Sequence, residues 1–329
     1  MYVVKKEPSM SSSSRLTGGL SILLAGILAA FAFGALRVTA SQSTHLPATA
    51  ASARPVPAFK HIFVIVMENK DYARVIGSDQ APYMSALAQR YGVATNYYGI
   101  RHPSLPNYLA MTGGATFGVT SDCTDCFVNQ PNLVDQLEAG GKSWKAYMED
   151  MPSPCFVGDA APLYKQKHNP FIYYDNIRTN AARCNKIVPF TEFAGDLQAN
   201  TLPNFVWITP NMCNDMHDCP VSAGDNWLKR VVPQILASPA WKDQGVLFIT
   251  FDEGSGAGGC CGNAAGGRIA TLVLSPLGRS GFTSDVPYTH YSLLRTIEAA
   301  WKLPLLGQAN CDCALPMADF FTPSTATTP

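Results

Sequence analysis

Five apolar runs constrain this chain more than any other feature: "HIFVIVMEN" from position 61, "SWKAYMED" from 143, "NFVWITPN" from 204, "GVLFITFDEG" from 245 and "RIATLVLSP" from 268. Their apolar residues run on with little alternation, the pattern of strands covered on both faces. Helical stretches fall between them. "APYMSALAQRYG" stops at Gly92, "NLVDQLEAGG" opens on Asn132 and stops at Gly140, "DNWLKRVVPQILA" starts at Asp225 and should bend near Pro233, and "THYSLLRTIEAAWKL" opens on Thr289. Strands alternating with helices in this way predict an α/β domain, a mostly parallel sheet sandwiched by helices.

The N-terminal region is separable from that domain. Lys5, Lys6 and Arg15 precede an uncharged stretch from Leu16 to Leu36, and small residues follow Arg37. Residues 1–40 therefore read as a signal peptide or a membrane anchor, with the remainder outside the cytoplasm in either case. The protein is expected to be secreted, periplasmic or anchored to the outer face of the cytoplasmic membrane, touching the membrane through this segment if it stays uncleaved. A linker rich in Ser, Ala, Thr and Pro spans 41–58, one domain spans 59–321, and 322–329 reads as a disordered tail. Lys plus Arg and Asp plus Glu both total 24, so no basic field points to a nucleic-acid partner. Ten cysteines, all beyond the export segment, read as disulfides. The spacing of Cys311 and Cys313 is too short for a zinc knuckle, and adjacent Cys260 and Cys261 are expected to pair with two different partners.

In open α/β sheets the chemistry collects beyond the carboxyl ends of the strands. Here the first run ends in Glu68 and Asn69, the fourth in Asp252 and Glu253, and the third leads into Asn211, Asn214, Asp215, His217 and Asp218. A single acid after a strand is an ordinary turn residue. Several on one rim repel one another unless a cation or hydrogen bonds compensate, so Glu68, Asn69, Asp252 and Glu253 form an oxygen-rich set suited to a divalent metal ion. The glycine-rich stretch 254–267 lacks the Gly-Lys-Ser/Thr ending of a phosphate loop and reads as a mobile loop tied down by Cys260 and Cys261.

"RHPSLPNYLAMTGG", residues 101–114, reads as a short buried helix capped by Ser104, with Pro106 in its first turn and Gly113 and Gly114 ending it. A metal beside the Ser104 hydroxyl lowers its pKa and makes it a nucleophile, and Asn107, one turn on, is placed to donate to a phosphoryl oxygen. Among the histidines, His217 is flanked by Asp215 and Asp218 and is the first choice for leaving-group acid or phosphate clamp. His168 and His290 follow as phosphate contacts, and His102, two residues before Ser104, is an additional candidate, as is Asp215.

The motifs "VIVMENKDY", "HPSLPNYLAMTGG", "KHNPF", "NDMHD", "GDNWL" and "ITFDEG", in this order, resemble the phosphoesterase family of acid phosphatases and phosphatidylcholine-type phospholipases C, within the alkaline phosphatase superfamily. The resemblance covers the chain from about His61 to Trp301. It implies an alkaline-phosphatase-like fold, a phosphate-ester substrate, a divalent metal on Glu68, Asn69, Ser104, Asp252 and Glu253, and a covalent phosphoserine at Ser104. It also implies phosphate contacts from Asn107, His168, His217 and His290. Two-zinc members of the superfamily carry Asp-His where this chain has Asp252-Glu253, which favours a single metal or an oxygen-richer site. Sulfatases need an arginine two residues after the proline, where this chain has Tyr108. Three readings stand at this point: a small phosphatase, favoured because the larger phospholipases carry additional C-terminal domains; a phospholipase C-like diesterase; and a non-catalytic exported binding protein of the same fold.

Overall fold

A computed structural model of the protein describes residues 55–322. Residues 1–40, read as a signal peptide or membrane anchor, residues 41–54 of the expected linker and residues 323–329 of the expected tail lie outside the described residues. Among the described residues no helix is long and apolar enough to cross a membrane.

Among the described residues, nine strands form one sheet: β1 (His61–Met67), β2 (Gly92–Tyr98), β3 (Trp144–Met148), β4 (Ile187–Pro189), β5 (Phe205–Thr209), β6 (Gly245–Phe251), β7 (Arg268–Leu274), β8 (Phe282–Ser284) and β9 (Tyr288–Thr289). Their order is β4-β3-β5-β1-β6-β7-β2-β8, with β9 also on β2. The first five are mutually parallel, and β7 runs antiparallel to β6 and β2. β1, β3, β5, β6 and β7 are the five apolar runs. At the centre, Ile62 to Met67 of β1 are fully buried and so is every residue of β6. Each such Val, Ile, Leu or Phe contributes about 1.5–3 kcal/mol of transfer free energy, which anchors this pair of strands in the core.

β2, β4, β8 and β9 lie outside the apolar runs and were not expected. β2 reads "GVATNYY", with Thr95 and Asn96 half-buried in its middle, and Gly92 looks like a helix stop. Gly92 opens the strand instead, because a Cβ there would sit 2.7 Å from the Phe320 ring.

Among the described residues, five helices of seven or more residues cover the sheet: α1 (Pro82–Arg90), α2 (Ser104–Gly113), α3 (Leu133–Ala139), α4 (Val221–Ala237) and α5 (His290–Trp301). Asn132 caps α3 in a capping box with Asp135, and at the start of α5 the Thr289 amide donates to Ser292 Oγ at 3.2 Å. α4 begins four residues before the expected Asp225 and continues through Pro233. Asp225 acts elsewhere, since its buried carboxylate accepts the amides of Tyr83 (3.0 Å) and Met84 (2.8 Å), the first free N–H groups of α1.

All ten cysteines are paired, as 123–126, 155–184, 213–219, 260–261 and 311–313. The expectation for Cys260 and Cys261 is corrected: they bond to each other and tie their loop to nothing else. Backbone bonds do that instead, from Ala265 to Ile100 (2.8 Å) and Gly266 to Gly99 (2.9 Å).

Asp225→Ala should lower stability by about 2–3 kcal/mol, since it leaves two amides of α1 without an acceptor. Chemical denaturation checks this; an unchanged midpoint would show that α1 does not depend on Asp225.

Candidate active site

Strand register builds the site. Met67 of β1 is paired with Phe251 of β6, so the next residues, Glu68 and Asp252, emerge side by side from the two central strands. The Asp252 amide donates to the Met67 carbonyl at 2.9 Å, carrying the pairing one step further. Asn69 then turns the chain in the left-handed region, φ +53°, where Asn is among the few tolerated side chains. That turn aims its amide at Asp252 Oδ1 (3.0 Å), which also accepts the Glu253 amide (2.6 Å). Gly99 closes in from β2, and a Cβ on it would lie 2.8 Å from the Asp252 carbonyl oxygen. The loop after β5 folds over the same edge, where the Asp215 carbonyl accepts the Glu68 amide at 2.9 Å.

α2 delivers the serine from the opposite side, and all ten of its residues are buried. Ser104 is not its cap. Pro103 holds that position, Ser104 is the first helical residue, and the orphan amide of Leu105 is satisfied by Asp122 Oδ1 at 3.0 Å. Freed from capping, Ser104 Oγ donates to Glu68 Oε2 at 3.2 Å. Tyr108, four residues on and so on the same helical face, donates to Glu68 Oε1 and stacks on His168 at 5.4 Å. His168 is buried between two acids, with Nε2 3.3 Å from Glu68 Oε2 and Nδ1 3.4 Å from Asp215 Oδ2.

Asp215 therefore serves His168, whereas the sequence places it beside the ring of His217; His217 takes from it only a backbone contact, its amide donating to Oδ1 at 2.6 Å. The His217 ring stands at the rim, Nδ1 2.6 Å from Asp218 Oδ1 and Nε2 3.3 Å from Lys167 Nζ. A lysine ammonium can only donate, so Nε2 accepts and the ring proton sits on Nδ1, facing Asp218. In this arrangement the ring nitrogen nearest Lys167 carries no proton to give.

Asn107 and His290 are brought to the site as supports. Asn107 Oδ1 accepts the amides of Ile100 (2.7 Å) and Arg101 (3.2 Å), while Nδ2 donates to the carbonyls of Arg101 (2.6 Å) and Pro103 (3.2 Å) and to Glu253 Oε2 (3.2 Å). Its amide thus fixes the turn before Ser104, and no donor is left over for a phosphate. His290 meets the Asp252 carbonyl with Nε2 (2.5 Å) and Tyr97 Oη with Nδ1 (3.3 Å). Burial pushes it down to about 4, so it is neutral. Half-exposed His102 pairs with Glu253 Oε2 through Nδ1 (2.9 Å) and donates from Nε2 to the Gly256 carbonyl (3.2 Å).

The electrostatics of this cluster are short of positive charge. Burial works against the Glu68 carboxylate, but the charge of His168 and the hydrogen bonds of His168 and Tyr108 hold it down at about 2. His168 is correspondingly raised to about 9: burial opposes its charge, and Glu68 and Asp215 outweigh burial. Asp252, buried beside Glu68 and Glu253, is pushed well above the carboxylate range, and Glu253 rises to about 8 through burial and the charges of Glu68 and Asp122. Asp252 Oδ2 is buried without a hydrogen-bond partner. An orphaned carboxylate oxygen among crowded acids, with a serine hydroxyl and an asparagine alongside, fits the donor chemistry of a hard divalent cation. Among the described residues no three His, Cys, Asp or Glu side chains already surround one ion position. Glu253 is turned away to His102 and Asn107.

The family model "Phosphoesterase family" matches residues 78–304. The chain belongs to the phosphoesterase family. Among its relatives in that family, the phosphate-repressible acid phosphatase of Penicillium chrysogenum is 34% identical over 84% of this chain and 68% of its own length. The phosphatidylinositol-3-phosphatase of Mycobacterium tuberculosis is 31% identical over 88% of this chain and 91% of its own. Two further acid phosphatases that it matches are longer, and the chain spans 61% and 57% of them. A solved alkaline phosphatase superfamily protein of Vibrio parahaemolyticus shares the fold, with a TM-score of 0.52 at 13% identity over 75% of this chain and 68% of that one. The mixed, mostly parallel sheet is thus the alkaline-phosphatase-like fold expected from the sequence.

Three members of this cluster were not expected from the sequence: Tyr108, Asp122 and Lys167. Tyr108 had a signal in its i, i+4 spacing from Ser104, and Lys167 stood next to His168. Asp122, in a loop without periodicity, had none. Tyr108→Phe should lower stability by about 1.5–3 kcal/mol, because it strips a hydrogen bond from a buried charged acceptor. Thermal or chemical unfolding tests it; a wild-type midpoint would mean that Glu68 does not rely on Tyr108.

Proposed function

We propose that this protein is an exported, metal-dependent phosphoesterase of the acid phosphatase type that works through a phosphorylated Ser104. The observation that carries the proposal is the position of Ser104 Oγ. It is buried at the start of a helix, it is hydrogen-bonded to Glu68, and Glu68 lies beside the unpartnered carboxylate oxygen of Asp252. The named activities of the relatives support it, since the acid phosphatases and the phosphatidylinositol-3-phosphatase all hydrolyse phosphoric esters. The apolar stretch from Leu16 to Leu36 and the paired cysteines support export.

Glu68, Asp252, Ser104 and Asn69 are the residues that would hold the cation, with Glu253 joining them on leaving His102. When bound, a divalent cation lowers the pKa of a coordinated hydroxyl and neutralises charge on the phosphoryl group. The chain's own residues do the rest. Ser104 Oγ directs its proton to Glu68 Oε2, which leaves its lone pairs turned to the phosphorus. Attack forms the Oγ–P bond as the P–O bond to the alcohol breaks, and the Oγ proton departs along its hydrogen bond to Glu68 Oε2. The leaving oxygen takes a proton from solvent at the rim, and water then cleaves the phosphoserine to release phosphate and restore the hydroxyl. His168 and Tyr108 fix the Glu68 carboxylate from behind, and Asn107 holds the turn that sets the serine.

Ser104→Ala in the full-length protein should reduce kcat on p-nitrophenyl phosphate by roughly 1,000-fold or more, with the unfolding midpoint preserved. Metal content, measured on the same samples, should be stoichiometric in the wild type and fall together with activity on chelation. Near wild-type turnover by Ser104→Ala would overturn the assignment of the nucleophile, and full activity of metal-free protein would overturn the metal dependence.

A further inference from the structure

Among the described residues, Lys167 is the one lysine hydrogen-bonded to the side chains around Ser104, and neither the acids nor the histidines of the proposed mechanism account for its placement. Its Nζ donates to Asp122 Oδ2 at 2.9 Å and to His217 Nε2 at 3.3 Å. The other oxygen of the same Asp122 carboxylate accepts the amide of Leu105, the residue after Ser104. One carboxylate thus ties the lysine to the start of the nucleophile's helix.

From His217 the contacts run on through the His168 ring at 5.8 Å, then to Glu68 at 3.3 Å, and from Glu68 back to Ser104 Oγ at 3.2 Å. Ser104, Glu68, His168, His217, Lys167 and Asp122 therefore close a circuit of contacts that begins and ends at the start of the nucleophile's helix. An ammonium has three N–H groups. Two are engaged, and the third has no partner among the described residues. Lys167 is largely buried, at 16% side-chain exposure, a costly place for a charge that serves only to hold a loop. Burial weakens its charge, but Asp122, with Glu68 and Asp252 beyond it, raises it above the ordinary lysine value.

We propose that Lys167 binds a non-bridging phosphoryl oxygen and makes the site selective for phosphate monoesters over diesters. A monoester presents a third non-bridging oxygen and a second negative charge where a diester carries its other alcohol group. A fixed ammonium stabilises the first and gains little from the second. Asp122 positions the lysine without touching the substrate. The proposal rests on the reading of Ser104 as nucleophile.

The test compares wild type, Lys167→Met and Lys167→Arg, all full-length, on p-nitrophenyl phosphate and bis(p-nitrophenyl) phosphate, with inorganic phosphate as inhibitor. Lys167→Met should lose about 100-fold in kcat/KM on the monoester and less than about 10-fold on the diester, with the inhibition constant of phosphate raised about 100-fold. Lys167→Arg, which keeps the charge, should recover most of the loss. Equal losses on both esters with unchanged phosphate inhibition would overturn the proposal, as would an unaltered Lys167→Met enzyme. If Lys167→Met does not fold, Asp122→Asn decides. That variant leaves the lysine but weakens its tether, and it must weaken phosphate inhibition and shift the ester ratio the same way; no shift overturns the proposal. Failure of the nucleophile assignment shows separately, as a Ser104→Ala variant that keeps turning over both esters.

Discussion

Glu68 and Asp252 are forced together by strand pairing. Their strands are buried at the centre of the sheet and are held in register over seven residue pairs, so the acids that follow have no freedom to separate. Two carboxyl groups in such a place cannot both stay charged without help. Glu68 keeps its charge through His168 and Tyr108, and Asp252 is left pressed toward its protonated form with one oxygen unpartnered. Nearly every polar feature around them answers that electrostatic problem. His168 lies between Glu68 and Asp215, the left-handed turn at Asn69 supplies an amide to Asp252, and Gly99 lets the backbone approach.

The same crowding explains why a serine at this point is chemically useful. A hydroxyl at an ordinary helix start would bond to its own amides and stay inert. Asp122 relieves Ser104 of that role by capping from a distant loop, and the hydroxyl is then the donor that Glu68 requires. A cation bound at the unpartnered oxygen would release Asp252 from its proton and bring both acids and the serine into one coordination set. The acids thus act first as a structural liability of the sheet and then as the reason for its chemistry.

Much of this was legible in the sequence. Long apolar runs gave five of the nine strands and their mostly parallel arrangement, because burial on both faces leaves a signal that does not depend on the rest of the fold. The acids at the ends of the runs at 61 and 245 marked the rim for the same reason. What could not be read was anything decided by contacts between distant segments. The cap of α2 comes from Asp122, the Asp225 carboxylate serves α1, and Asp215 turns to His168 and away from the His217 ring. Adjacent Cys260 and Cys261 bonded to each other against expectation, within a loop already closed by its own backbone. Asn107 and His290 were placed at the site but their polar atoms were found facing the protein, a distinction that residue type and spacing do not encode.

Ser104 as the atom that takes the phosphoryl group is the claim on which the account turns. Acid quenching of the full-length enzyme during turnover of a phosphate monoester, followed by peptide mass spectrometry, measures it most directly. The account predicts a phosphoryl group on the peptide carrying Ser104, at the serine itself, present during turnover and lost once substrate is exhausted. A phosphoryl group on a histidine instead, or rapid turnover with no phosphorylated residue at any quench time, would contradict it.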